Sequence, residues 1–524
     1  MPRSNIQLGG QELKLDADAD TSITVDTDDQ IDIKIAGSDK LVISSTSHLS
    51  TTTAGTSNFV LGVNAGNSIA SGGNYNVALG DEAGTAITTG DRNIAIGFEA
   101  GKAISTGGEN VAIGYQALAT EDGHGLNIAI GSEALENLNA GADAYNVAVG
   151  HAAGKNVTTG IHNTLIGGNA GDALTVGTRN VALGYSALTT DTQGSGSIAI
   201  GRFALNTQNF SSATTTYNIG IGYDAGKSIT TGERNTLVGG LAGDALTDAD
   251  RNIAIGHGAL SDDTQGSRST AIGYQALSTQ NLTSATDTHN TAVGYQAGLA
   301  ITDGTNNTIF GAEAGITITS AASNTLIGHE AGQLTNSDKN TFVGRNAGHN
   351  ITSGAKNSIL GRFNGNENGL DISTSSNHIV LSDGDGNPRF YINQNGLPYS
   401  PVSYSTTTST GANMYIQSDG AFYRSTSSKR YKNTIEDATH GLTELLKLRS
   451  VTYKGNNDGD IILGGLIAEE VHDAGLTEFV QYNDDDEPDA LSYGNMVSLC
   501  IKAIQELSAK NDALEARIKK LEGS

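Results

Sequence analysis

From about residue 58 to residue 361 the chain repeats one pattern: Asn, apolar, small, apolar, Gly, two variable residues, Ala, and then Gly or Leu. The Gly recurs at 62, 80, 97, 114, 131, 150, 167, 184, 201, 222, 239, 256, 273, 294, 311, 328, 344 and 361. Most steps are 17 residues, with a few of 16 to 21. Ala stands three residues after each of these glycines except the last, where Asn364 takes its place. A period near 17 is too short for helical-pair repeats, and each unit holds short β-like runs closed by Gly, so the pattern predicts a β-solenoid or β-roll.

Alternation with period two assigns the faces. In Asn93-Ile94-Ala95-Ile96-Gly97, Ile94 and Ile96 share one face of a strand and Ala95 lies on the other. The second face is read as crowded, because it usually admits only Ala, Gly or Thr. Units with Gly after the Ala usually carry an apolar residue three places on, as with Gly84 and Ile87, Gly101 and Ile104, or Gly226 and Ile229. Units with Leu there (Leu118, Leu188, Leu260, Leu277) carry Glu121, Asp191, Asp263 or Gln280 instead, so one apolar plug per coil is expected by either route. The coils beginning at Asn163, Asn235 and Asn307 move the bulk by one position, to Leu165, Leu237 and Ile309. Such a shift transfers bulk to the other face, and these coils are read as places where the crowded face opens toward a neighbouring chain.

Outside the repeat, Ile23-Thr24-Val25, Ile31 to Ile35 and Leu41-Val42-Ile43 carry a strand signature, read as a capping and attachment module over 1–50. The repeat shaft is placed at 58–376 and a β-rich connector at 377–424, with a Ser/Thr-rich link from 400 to 412. From about 425 Gly thins out and helix formers appear. Val497, Ile504, Asn511 and Ile518 share one heptad position and Cys500, Leu507, Leu514 and Leu521 another, which predicts a coiled coil over 497–521. Ile with Leu in these places favours two strands by itself, but four heptads at the end of a large assembly take its symmetry.

Composition narrows the classes. Of 524 residues 68 are Gly, 5 are Pro and none is Trp; Gly is nearly double its usual share of about 7% without a collagen period. With 30 basic against 56 acidic residues the net charge is −26, which disfavours nucleic acid and anionic membrane as partners. A single Cys500 forbids an intrachain disulfide or a cysteine-rich metal site. The sequence shows no leader-like apolar region and no apolar run long enough for membrane insertion. The cluster Asp16, Asp18, Asp20, Asp26, Asp28 and Asp29 has metal-ligand residue types but not EF-hand spacing, and is read as a solvated strand edge. No cofactor and no metal is expected. Repeated Thr-Thr-Gly occurs in a minority of coils, too few for an ice-binding array.

The repeat, over roughly residues 58 to 361, resembles the NxAIG-type repeats of trimeric β-roll heads of bacterial adhesins and Gly-rich repeats of phage fibres. That resemblance implies a parallel homotrimer, and eighteen coils at ~4.8 Å each would give a shaft of about 85 Å. Over the last hundred residues, Ser427-Ser428-Lys429-Arg430-Tyr431-Lys432-Asn433-Thr434-Ile435, Gly465 to Val471, Leu491-Ser492-Tyr493 and Ala503 to Leu507 resemble, in order, the C-terminal intramolecular chaperone domain of endosialidase-type phage tail spikes and fibres. That family assists trimer assembly, and many members then cut themselves off with a Ser-Lys dyad. The resemblance implies Ser427 as nucleophile, Lys432 as base and the bond between Thr426 and Ser427 as the one cut. The family pattern has Asp after the Ser, where this chain has Ser428. A Ser hydroxyl needs a base to take its proton, and Lys serves only when burial or a nearby cation such as Lys429 or Arg430 lowers its pKa.

The expectation is therefore an all-β chain with a trimeric Gly-rich β-solenoid shaft and an α+β chaperone domain ending in a coiled coil. Its implied place is the virion tail fibre, made in the host cytoplasm. Its implied partners are two further copies of itself, tail or baseplate proteins at the N-terminal module, and a host cell-surface glycan or protein met by the longer coils near 139–145, 207–217 and 279–289. A bacterial trimeric adhesin and a polysaccharide depolymerase fibre are the rival readings.

Overall fold

A computed structural model of the chain describes residues 51, 53–401, 430, 432–456, 459–483 and 485–523, together with short strands at both flanks of the shaft. The fold is mostly β. The chain divides into two compact units, Met1–Thr407 and Thr408–Ser524.

Ahead of the repeat, Leu13–Lys14, Ser22–Val25, Ile31–Ile35, Ser38–Ile43 and Leu49–Ser50 form an antiparallel sheet in chain order, so the alternating segments are strands as the sequence predicts. From Phe59 onward the chain winds into a β-solenoid of about nineteen coils. Each coil adds a strand of three or four residues to one parallel ladder with unshifted register, Ala78 beside Ala95 and Ala95 beside Ala112. The ladder runs one coil beyond the last repeat glycine: Ile379–Ser382 pairs in parallel with Ser358–Leu360. Pro388–Ile392 and Pro398–Tyr399 then turn back antiparallel.

Three columns explain the repeat. The first is Asn. Its Oδ1 accepts the backbone N–H of the Asn one coil on (Asn93 to Asn76 and Asn163 to Asn146, both 2.8 Å), while its Nδ2 donates to a carbonyl fourteen residues ahead (Asn76 to Gly90, 2.8 Å). These side chains are buried, and the ladder satisfies polar groups that burial would otherwise penalise. The second is Gly. A Cβ on Gly114 would lie 2.4 Å from the Gly131 carbonyl oxygen, at a φ of +133° that L side chains rarely adopt.

The third column is the small residue at mid-strand, and its face is the inside of the chain's own coil. Ala78, Ala95, Ala112, Ala129, Ala254 and their equivalents are buried in one continuous core. Leu165, Leu237 and Ile309 also point inward, which corrects the reading that they open toward a neighbouring chain. Space is made for each by the glycines of two successive turns: a Cβ on Gly154 would sit 2.6 Å from Leu165 Cδ1, and one on Gly171 would sit 2.8 Å from Leu165 Cδ2. Bulk thus enters from the strand where the turn gives way, and from the turn (Leu118, Leu135, Leu188, Leu205) where the strand is small.

In the second unit, the hairpins Val451–Tyr453/Leu463–Gly465 and Val480–Tyr482/Pro488–Leu491 accompany the helices Leu442–Leu445, Ala468–Asp473 and Tyr493–Glu522. Its core is Val471, Leu476, Phe479, Val480, Met496 and Leu499.

Candidate functional site

Three features of the shaft surface arise from the repeat. The first is the outward strand face, where Val, Ile, Leu and Thr stand in two columns along the ladder. Many of these are half-exposed, and Leu183, Phe310 and Leu360 are between 44% and 57% exposed. Beside these columns, the residue after the strand glycine is often aromatic. Tyr274 stacks on His257 at 5.8 Å and on Tyr295 at 5.5 Å, and Phe98 stacks on Tyr115 at 5.7 Å. Further along, the Arg202 guanidinium lies 4.2 Å from the centroid of the Phe203 ring.

The third feature is the set of longer coils. Glu121, Asp191, Asp263 and Gln280, the polar residues that accompany the Leu plugs, are themselves fully buried. Each carboxylate pins an insertion by accepting a backbone N–H nineteen residues on: Ala140 to Glu121 (3.2 Å), Phe210 to Asp191 (3.4 Å) and Leu282 to Asp263 (3.2 Å). At the two longest coils Ser197 and Ser269 interrupt the Asn ladder, and a buried network repairs it. Gln208 Nε2 donates to Asp191 (2.6 Å) and to Ser197 Oγ (2.8 Å), while its Oε1 accepts from Asn218 Nδ2 (2.9 Å). Gln280 repeats this with Asp263, Ser269 and Asn290. Buried carboxylates of this kind require such donors. Period counting located these coils but could not show that their acids face inward, because two residue spacings, 17 and 19, must be combined.

One insertion encloses a polar cleft of about 360 Å³ lined by Asn281, Leu282, Thr283, Ser284, Thr286, Thr302 and Asp303. Its polar groups are four hydroxyls, the Asn281 amide and one carboxylate, Asp303.

In the tail unit two of the four ordered motifs are in direct contact, and a third, through Glu506, holds the helix at Leu442. Tyr493 Oη accepts the Leu466 N–H at 2.7 Å and donates to the Leu466 carbonyl at 3.2 Å. Val471 and Leu499 share the core, and Glu506 Oε2 accepts the Leu442 N–H at 2.9 Å. The long helix buries Met496, Leu499 and Ala503, whereas Val497, Ile504, Leu507, Leu514, Ile518 and Leu521 stand exposed along it. At its start an apolar groove of about 420 Å³ includes Leu445, Leu448, Tyr493, Met496, Val497 and Cys500. Of the dyad, Lys432 is exposed, and Thr426 and Ser427 lie outside the described residues, as do the Asp residues of the N-terminal cluster. Among the described residues no helix is long and apolar enough to cross a membrane. Comparison with protein-family models, with curated proteins and with solved structures returns no match.

Proposed function

We propose that this chain is a phage tail-fibre or tail-spike protein. Three copies associate through the shaft, the longer coils meet a host cell-surface glycan or protein, the N-terminal module attaches to tail or baseplate proteins, and the tail unit serves as an intramolecular chaperone. The observation that carries this reading is the pairing of a repeat shaft with a tail whose heptad apolar positions are exposed on a helix already packed on its other face. Such a seam is stable only when covered by partner helices.

The outward columns of the shaft support self-association too, since a long stretch of half-exposed Val, Ile and Leu exceeds the scattered apolar surface of ordinary monomers. A β-ladder of many coils forms slowly and its open strand edges invite aggregation. A tail that associates first holds three chains at high effective concentration and in register. Binding is favoured over depolymerisation at the polar cleft: glycoside hydrolysis uses two opposed carboxylates, and this cleft offers Asp303 alone. Self-cleavage between Thr426 and Ser427, with Lys432 as base, belongs to the same proposal as a single event on the chain itself.

Sedimentation of the full chain tests the reading, with a trimer expected and a stable monomer overturning it. Deleting residues from 425 onward before expression should yield insoluble shaft. Soluble, folded shaft from that truncation removes the chaperone role. An intact mass showing a C-terminal fragment beginning at Ser427, lost in Ser427→Ala, supports cleavage, and an uncut wild type removes cleavage alone.

A further inference from the structure

We infer that Glu121, Asp122 and His124 form a site for a divalent transition metal, of which Zn²⁺ is the representative, at the base of the first insertion. The site is independent of the fibre reading. Ligand atoms from the three side chains lie within 4.8 Å of one another, the only such group of three among the described residues. His124 Nδ1 is 3.5 Å from Glu121 Oε1. It is shut off from solvent and has no hydrogen-bond partner, although the ring as a whole is about one-third exposed. Nδ1 and the carboxylate oxygen face each other without a hydrogen bond between them, so one cation could take a lone pair from each.

The shaft supplies its own control. At the equivalent position in the two longer coils the buried carboxylates of Asp191 and Asp263 each receive a side-chain amide, from Gln208 and Gln280, seventeen residues on. Seventeen residues after Glu121 stands Leu138, which is buried and has no donor. Glu121 keeps two backbone donors, His124 N–H and Ala140 N–H, both at 3.2 Å. The sister coils follow their acid with Thr-Gln-Gly, whereas here Asp122-Gly123-His124 adds a second carboxylate and an imidazole. The backbone that carries them is held, because the Asp122 carbonyl accepts both the Ser105 N–H (2.6 Å) and Ser105 Oγ (2.8 Å).

A divalent cation would take the place of the missing amide. It would neutralise the two carboxylates, accept the Nδ1 lone pair, and leave its outer positions to water on the exposed Asp122 side. The mixed nitrogen and oxygen set suits Zn²⁺ and its neighbours rather than Ca²⁺, which prefers an all-oxygen shell. Because Glu121 also holds the Ala140 amide, the ion would fix the root of the insertion at 139–145.

The test titrates chelator-treated full-length protein with Zn²⁺ by calorimetry, alongside His124→Gln, Asp122→Asn and, as a control, His151→Gln. One site per chain is expected in wild type and in His151→Gln, weakened at least about tenfold in the other two. Co²⁺ should give a ligand-field spectrum that His124→Gln abolishes, and Zn²⁺ should slow hydrogen exchange at the Ala140 amide. Circular dichroism of the metal-free variants should match wild type, since both altered side chains reach the surface. If His124→Gln misfolds, Asp122→Asn and the exchange at Ala140 decide. Wild type without a site for Zn²⁺, equal affinity in His124→Gln, or Ca²⁺ binding that survives loss of the imidazole would each overturn the inference.

Discussion

Gln208 donates a 2.6 Å hydrogen bond from Nε2 to the buried carboxylate of Asp191, seventeen residues earlier and one coil below. Through that bond the longest coils keep a continuous polar ladder where Ser197 has replaced Asn. Gln208→Leu recreates the situation at Leu138 but without a neighbouring His, leaving Asp191 with backbone donors only. Removing one partner of a buried charged hydrogen bond costs about 1–3 kcal/mol. The expected outcome is lower thermal stability and faster hydrogen exchange at Gly194, whose N–H the same carboxylate accepts at 2.9 Å. Asp191→Asn combined with Gln208→Leu should cost less than the sum of the two single changes, because the unpaired charge is gone.

Leu118 occupies the left-handed region at a φ of +52°, where the sister coils have Gly84 and Gly101, and its side chain is fully buried. Truncation to Ala keeps the strained backbone and loses the packing, for about 2–5 kcal/mol. Leu118→Gly loses the same packing but relieves a conformation that costs an L residue about 1–2 kcal/mol. Unfolding should therefore rank Leu118→Gly as more stable than Leu118→Ala, the reverse of the order on a helix or strand. Glu121→Ala, which the repeat pattern alone marks as tolerated, should be destabilising because it frees the Ala140 and His124 amides.

Ala95→Leu, Ala129→Leu and Ala254→Leu add bulk to the interior of the chain's own coil, where each Ala has no exposure. Overpacking typically costs about 1–3 kcal/mol. Loss should appear as unfolding of the coil, read by circular dichroism, and not only as failure to assemble. Ile96→Glu and Ile113→Glu place charge on the outward columns instead, so they should leave the β signal intact while lowering the sedimentation coefficient. Identical behaviour of the inward and outward sets would contradict the assignment of faces.

The coil period and the strand positions could be read from the sequence because Asn, Ala and Gly each answer a constraint that recurs in every turn. The Asn ladder, the glycine stacking and the inward Ala all follow from one coil lying on the next. What a single unit cannot disclose is which face is inside: Ala95 between Ile94 and Ile96 reads equally well as a face crowded by partner chains or by the coil's own far wall. The burial of the acids was not legible for the same reason: the partners of Asp263, Gln280 and Leu282, belong to the next coil. In the tail, the period of the heptads marks a long helix, but the contact of Tyr493 with Leu466 joins segments far apart in the chain and no local pattern announces it, while the dyad's Ser427 falls outside the described residues.

Asp244 gives a pH dependence of defined sign. Burial, followed by the charges of Asp262 and Asp224, raises its pKa above the ordinary carboxylate value, and its Oδ1 is enclosed without a partner. The folded state therefore holds this proton more tightly than the unfolded chain, whose Asp titrates near 3.9. Below that value both states are protonated and Asp244 costs nothing. As pH rises through the window up to the raised folded pKa the unfolded state ionises first, so stability falls, and above the window the full penalty remains. Asp244→Asn keeps the shape and removes the charge. Its melting temperature should match wild type near pH ~3 and exceed it at pH ~7, with the gap opening just above the ordinary carboxylate range. A gap that is constant with pH, or that widens toward acid, would show that ionisation of Asp244 is not what strains this coil.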